Sequence, residues 1–163
     1  MKVIILNLLI SIFATSSVAK EKTISSNDFR INGLHFTAKR NDIIKTFGKP
    51  QKIFEPKYEC GFLSQAEQGK TFYSLQYPSL KFTGNESEHY ILEKVDLRYT
   101  SKLTVTYKGK LLSHKTTKVD FETLFSIKLN NDGVKLYHEN ADDALLFTFT
   151  DGLLSKIEYW SPC

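Results

Sequence analysis

The chain has 163 residues, of which 41% are hydrophobic and 13% aromatic, and its formal net charge is +4. Compact domains commonly contain about 100 to 200 residues, so this length fits one domain with a core of its own. The positive charge is small and evenly scattered, whereas nucleic-acid binding proteins carry strongly basic patches. We therefore expect no nucleic-acid partner.

The N-terminus has the pattern of a secretory signal. Lys2 precedes a short apolar run, and the small residues Ser17 and Ala19 precede a charged stretch that begins at Lys20. This pattern predicts a signal peptide over residues 1–19 with cleavage after Ala19, and export to the periplasm or the medium. The alternative is a membrane anchor, but a spanning helix needs roughly 20 apolar residues and this run is shorter. We expect a mature chain of residues 20–163 without stable membrane insertion.

A short helix opens the predicted domain. The segment from Ile31 to Phe36 is typical of a strand or turn, and Thr37 is the predicted N-cap of the helix that follows. One side of this helix carries three apolar residues: Ile43, Ile44 and Phe47. Gly48 supplies the C-cap and Pro50 prevents continuation of the helix.

Three β-type runs follow a polar loop at residues 65–70: Thr71 to Tyr77, Leu80 to Thr83 and Tyr90 to Tyr99. In the third run, Val95, Leu97 and Tyr99 alternate with three charged residues: Lys94, Asp96 and Arg98. Strict alternation is typical of a half-buried antiparallel strand. We predict a meander with one face open to solvent.

The second half of the chain repeats this order. Thr117 begins a second helix with a capping-box-like pattern, and this helix carries Phe121, Leu124 and Phe125. Strands are predicted at Val134 to Glu139, Leu145 to Thr150 and Leu153 to Trp160. Half-buried strands can share a pattern by chance, but the matched order of elements favours a repeat.

These elements predict an α+β fold in one domain, residues 20–163. The domain consists of two pseudo-repeats, about 29–100 and 103–160, whose period is too long for an ordinary solenoid. Each repeat is a short helix plus an antiparallel β-meander, and the helices pack on one sheet face.

Cys60 and Cys163 are the two cysteines of the chain. In an exported protein such a pair predicts one disulfide. The alternative is a nucleophilic Cys60 thiolate, for which His35 or His89 could supply the imidazole base.

The sequence gives little basis for other catalytic sites or for metal and nucleotide sites. The four histidines are dispersed, and no hydrolase, nucleotide or dinucleotide motif is present. The segments 130–133 and 140–143 are rich in Asn and Asp but lack the spacing of a calcium loop, so we interpret them as turns. We predict no catalytic residue, no metal and no cofactor, and therefore no enzyme. Asn85 begins an N-glycosylation tripeptide to which we attach no function.

The stretch NGLHFTAKRNDIIKTFGKP, within Ile31 to Pro50, carries a family resemblance. A helix that ends in F-G-x-P before antiparallel strands resembles the small exported β-lactamase-inhibitor-protein-like and SmpA/OmlA-like (BamE-like) families. The second repeat departs from this motif at Phe125-Ser126-Ile127-Lys128. The resemblance implies a secreted or periplasmic, non-enzymatic binding module, and the tandem arrangement is similar to the inhibitor branch. It transfers no contact residue.

The open face of the predicted sheet is the candidate binding surface. By alternation, Trp160 shares a face with Lys156 and Glu158. The candidate partner-binding residues are Lys94, Asp96, Arg98, Lys156, Glu158 and Trp160. We expect an exported protein-binding module, either inhibitor-like or an envelope assembly factor. The alternative is a small-ligand or lipid-binding envelope domain with a pocket of several hundred Å³ lined by Phe and Tyr.

Overall fold

The computed structural model describes residues 22–98 and 103–163. The predicted signal peptide and Tyr99 lie outside these residues. The described residues form an α+β fold with three short helices: α1 (Arg40–Phe47), α2 (Gln65–Gln68) and α3 (Lys118–Phe125). A single 3-10 turn covers Ser26–Asp28. None of these helices is long and apolar enough to cross a membrane.

The strands form two open sheets. In spatial order, the large sheet contains β1 (Thr23–Ile24), β11 (Gly133–His138), β12 (Ala144–Thr150), β13 (Leu153–Trp160), β8 (His89–Asp96), β7 (Leu80–Asn85), β6 (Tyr73–Gln76) and β5 (Lys52–Phe54). A ninth strand, β4 (Thr37–Ala38), also pairs with β8. The small sheet has the order β10 (Lys110–Leu112), β9 (Val105–Tyr107), β2 (Phe29–Ile31) and β3 (Leu34–His35). All pairs are antiparallel except β1 with β11.

Aromatic side chains fill the core on one face of the large sheet. The Phe47 ring of α1 lies 5.7 Å from that of Phe82, and the Phe121 ring of α3 lies 4.9 Å from that of Phe147. The small sheet packs against α3, where Tyr107 stacks on Phe125 at 4.7 Å. Helices α1 and α3 therefore cover the same face of the large sheet. Each helix buries its apolar side against that face.

Helix α1 begins two residues later than the sequence indicated. Thr37 is not its N-cap, because Thr37 and Ala38 form β4, which pairs with Ile91 and Tyr90 of β8. The N-cap is Lys39, whose side chain makes no capping hydrogen bond. Pairing with β8 thus delays the helix. Its end is as predicted, since the Gly48 N–H donates to the Ile44 carbonyl and Gly48 has the positive φ of 79° that favours glycine.

Helix α3 has the capping box that its sequence indicated. The Asp120 N–H donates to the Thr117 hydroxyl at 3.1 Å, and the Thr117 N–H donates to the Asp120 carboxylate at 3.2 Å. Each of these two hydrogen bonds gives a partner to a backbone N–H that has none within the helix.

The prediction of a polar loop at residues 65–70 was partly wrong, because residues Gln65–Gln68 form the short helix α2. Ser64 caps this helix by accepting from the Glu67 N–H at 3.4 Å, and Gly69 ends it in the left-handed conformation. A single helical turn has too little apolar periodicity to be recognised from sequence.

Candidate functional site

The open face is the side of β8, β11, β12 and β13 that lies opposite the helices. Val95 and Ile157 pair across β8 and β13 and are buried at 0% and 4% exposure. Their neighbours in each strand point the other way. The register places Lys156 opposite Asp96 and Glu158 opposite Lys94, so the structure brings these four predicted residues together.

Glu158 is the shared partner of two lysines on the open face. Its carboxylate lies 2.8 Å from the Lys156 ammonium and 3.8 Å from that of Lys94. The Lys94 side chain is 44% exposed, and exposed ion pairs contribute only about 0 to 1 kcal/mol to folding. These charges are therefore available to a partner at little cost in stability.

Asp96 and Arg98 form a bidentate ion pair at the end of β8. The Arg98 guanidinium donates two hydrogen bonds to the Asp96 carboxylate, at 3.0 and 2.7 Å, and the Arg98 backbone N–H donates a third at 3.1 Å. The hydrogen bonds from Arg98 hold the pKa of Asp96 below its usual value. The Asp96 side chain is only 13% exposed. Asp96 therefore orients Arg98 instead of presenting its own carboxylate to solvent.

Trp160 lies in an aromatic and cationic cluster that sequence reasoning missed. The Lys135 ammonium lies 3.2 Å from the Trp160 ring centroid, and the Tyr137 ring meets Trp160 edge-on at 6.3 Å. Such a cation over an indole face is electrostatically favourable. Lys135 and Tyr137 belong to β11, and β12 separates β11 from β13. Alternation within β11 could have placed both residues on one face, but only the strand order shows which residues they approach.

A polar network fixes one border of the open face. Lys81 and Glu93 form an ion pair at 2.6 Å, with both side chains largely buried. The Tyr58 hydroxyl donates to Glu93 and accepts from Lys81 at 3.0 Å, while Thr83 also donates to Glu93. Burial and the hydrogen bond to Glu93 raise the pKa of Tyr58. These contacts hold the loop that precedes α2 against the sheet.

The disulfide ties the same loop to the end of β13. Cys60 is bonded to Cys163 with 5.0 Å between their Cα atoms, so the predicted pairing is confirmed. The Phe62 N–H donates to the Ser161 hydroxyl at 3.0 Å. A Cβ on Gly61 would lie 2.4 Å from that hydroxyl oxygen, so the close approach needs glycine. Cys60 has no free thiol in this structure, which removes the basis for a Cys60 nucleophile.

A second polar cluster, formed by His138, Asp143 and Tyr159, lies on the side of the large sheet opposite the open face. His138 is 8% exposed, and its ring lies 5.8 Å from that of Phe36. Burial lowers the pKa of His138, and the nearby Asp143 carboxylate only partly opposes this. Burial and Asp143 together raise the pKa of Tyr159. Among the described residues, no group of three or more His, Cys, Asp or Glu side chains could hold a metal ion.

We expect the protein to lose stability as the pH falls below about 6.5, the ordinary pKa of histidine, because burial lowers the pKa of His138 in the folded state. Below that pH the unfolded chain binds a proton more readily than the folded chain does, which costs at most about 1.4 kcal/mol for each pH unit. Urea unfolding at pH 7.5 and 5.5 measures this loss. His138→Gln should reduce it, whereas the exposed control His35→Gln should not. Equal pH dependence in both variants would contradict the assignment.

A cleft of about 580 Å³ lies at the edge of the small sheet, between β10 and α3. Its volume matches that of ligand sites. Its lining, however, is Lys110, Leu111, Ser113, Lys115, Thr116, Asp120, Thr123 and Leu124. Phe and Tyr do not line this cleft, so it gives the small-ligand or lipid alternative little support.

The chain matches no family model, no curated protein and no solved structure. Its fold and its open face are therefore the basis for a functional proposal.

Proposed function

We propose that this chain is an exported, non-enzymatic protein-binding module that meets its partner through the open face. The observation that carries the proposal is the Trp160 cluster beside the charged pairs of β8 and β13. Trp, Tyr and Arg are enriched at protein interfaces and supply most binding hot spots. Trp160 and Tyr137 lie together, and Arg98 lies at the other end of the β8–β13 pair.

Pre-organisation of this surface supports the proposal. Trp160 is held between Lys135 and Tyr137, and Arg98 is held by a bidentate contact with Asp96. Side chains that are ordered before binding lose less conformational entropy when the complex forms. A face built on paired strands is also more rigid than one built on loops.

The proposal includes a two-unit architecture. The pairing of β8 with β13 has Val95 opposite Ile157 at its centre, and the two residues occupy matching positions in Leu92–Leu97 and Leu154–Tyr159. The pairing of β2 with β9 likewise has Arg30 opposite Thr106 at its centre. Antiparallel pairing of matched strands is what an internal two-fold relation between two units produces.

The turns that follow β2 and β9 support the same relation. Asn32 and Gly33 have positive φ values of 47° and 84°, and Lys108 and Gly109 have values of 48° and 75°. Two consecutive positive φ values are typical of type I′ hairpin turns. Each unit would then contain a hairpin, a helix and a meander.

Under this proposal the resemblance to β-lactamase-inhibitor-protein-like and BamE-like domains indicates the kind of partner. An inhibitor-like module would cover a secreted enzyme, and an envelope assembly factor would bind another envelope protein. The two-unit arrangement favours the inhibitor-like role.

Affinity capture tests the proposal. The immobilised protein is incubated with the envelope fraction and the medium of the producing cell, and captured proteins are identified by mass spectrometry. Trp160→Ala should reduce the capture of a specific protein by at least about tenfold, the effect of removing an interface hot spot. Lys156→Glu should also reduce it, because it reverses one charge of the open face.

Tyr73→Ala is the matched control, since Tyr73 is an aromatic residue with 38% exposure on β6. It should retain the captured protein. Circular dichroism checks that each variant is folded. Equal capture by the wild type and Trp160→Ala, or equal loss in Tyr73→Ala, would overturn the proposal.

A further inference from the structure

The cleft between β10 and α3 has an open strand edge as one wall. β10 is the terminal strand of the small sheet and pairs only with β9 within the described part of the chain. Lys110 and Leu112 lie opposite Tyr107 and Val105, and Leu111 lies between them opposite Thr106. Because the two-residue turn makes Tyr107 and Lys110 a hydrogen-bonded pair, the Leu111 N–H and C=O point away from β9. An unpaired edge of this kind can accept another strand.

Apolar groups accompany this edge. Leu111 is 59% exposed, and Leu124 of α3 lines the same cleft. The leucines lie on opposite walls, one from the strand edge and one from the helix. An extended peptide that adds to β10 would thus place alternate side chains against leucine, the recognition mode in which backbone bonds provide affinity and side-chain pockets provide specificity.

The walls of the cleft are fixed before any peptide binds. The turn from Ser113 to Thr116 joins β10 to α3, and the Ser113 N–H donates to the Thr116 hydroxyl at 2.9 Å. The Leu154 N–H donates to the Thr116 carbonyl at 2.9 Å, which ties this turn to β13. The capping box of Thr117 and Asp120 then starts α3. Ligand sites are usually preformed in this way.

The charge of the cleft selects the occupant. Lys110 and Lys115 line it, and neither forms an ion pair with a described residue. The one carboxylate in the lining, that of Asp120, accepts from the Thr117 N–H and hydroxyl. Two lysines without an ion-pair partner among the residues that the structure describes therefore line a cleft whose one carboxylate is already hydrogen-bonded. A second copy of this chain would bring the lysines of both clefts together, which is unfavourable.

We infer that the cleft binds an extended acidic segment of a protein partner, which adds as a strand to β10 at Leu111 and places its carboxylates beside Lys110 and Lys115. This site shares no residue with the open face, so it can bind whether or not the open face does.

A peptide titration followed by NMR tests the inference. The probe is an acetylated and amidated hexapeptide that alternates glutamate and valine, added to the ¹⁵N-labelled protein with its disulfide intact. We expect it to shift the Leu111 amide resonance and to slow hydrogen exchange of the Leu111 N–H at least tenfold. The matched peptide that alternates lysine and valine should cause neither change.

Two variants identify the groups responsible. The double variant Lys110→Glu and Lys115→Glu should weaken binding of the glutamate peptide at least tenfold, whereas Lys45→Glu with Lys49→Glu, the same charge change near the end of α1, should not. Leu111→Pro removes the outward N–H at an edge position that tolerates proline and should also abolish binding. If Leu111→Pro fails to fold, the double lysine variant still tests whether the cleft binds the glutamate peptide.

The inference would be overturned by no change at the Leu111 amide, by equal binding of both peptides, or by unchanged affinity in the Lys110 and Lys115 variant. Protection of the Leu111 N–H that rises with protein concentration alone would also overturn it, because the occupant would then be a second copy of the chain.

Discussion

Replacing Cys60 and Cys163 together by serine is expected to lower the free energy of unfolding by about 4 to 5 kcal/mol. The two cysteines are 103 residues apart in sequence. In the chain-entropy model, a bond across so long a loop restricts the unfolded chain strongly and so stabilises the folded one. The bond also ties the segment after β13 to the loop that precedes α2.

Urea unfolding of the wild type and the double serine variant measures this loss. The wild type with and without reductant is the control, because reduction breaks the same bond without changing the sequence. Reduced wild type and the double variant should unfold at similar urea concentrations. An unchanged midpoint in both would show that the disulfide contributes nothing to stability. The loop before α2 and Trp160 line the same cleft. Loss of the disulfide should therefore also weaken capture of the partner protein that is proposed to bind the open face.

Phe121→Ala is expected to cost about 3 to 5 kcal/mol, the range for removing a buried phenylalanine. Phe121 is 0% exposed and contacts three other rings: Phe125 at 4.3 Å, Phe147 at 4.9 Å and Phe149 at 5.2 Å. These rings belong to α3 and β12, so the cavity would lie between the helix and the sheet. Close-packed rings cannot all move to fill such a space.

Val119→Ala is the matched control on the same helix, since Val119 is 68% exposed. It should change stability by less than about 0.5 kcal/mol, the usual range for surface positions. Chemical denaturation of the two variants compares them directly. A loss below about 1 kcal/mol in Phe121→Ala would show that the core can rearrange around the missing ring.

The groups that stabilise the fold are largely distinct from the exposed charges of the open face. Stability depends on the aromatic core under α1 and α3 and on the disulfide. The ion pair of Lys94 with Glu158 on the open face contributes little, because it is exposed. Substitutions at Lys94 should therefore have little effect on the fold.

Local signals in the sequence predicted several elements well. The limits of β13, Leu153–Trp160, are those predicted, because alternation and the flanking Gly152 define them. The capping box of α3 and the end of α1 at Gly48 also follow from adjacent residues. In each case the physical cause lies within a few positions of the chain, where a sequence pattern can record it.

Elements that exist only through long-range pairing were missed. β1 and β4 have two residues each and are defined by their pairing with β11 and β8. β5 has three residues and is held by β6. The wrong N-cap at Thr37 has the same cause, since backbone pairing with a distant strand overrides a local capping preference.

For the candidate site, the order of residues alone shows which side chains of each strand share a face. The two-residue period of a strand places Lys156, Glu158 and Trp160 together without knowledge of any neighbour. It also determined the partners of the disulfide, because the chain has two cysteines. The folded chain was needed to show that β8 lies beside β13, that Lys135 lies over Trp160, and that a cleft opens between β10 and α3. These facts depend on strand order and helix placement, which result from the packing of the whole core and leave no pattern within a single strand.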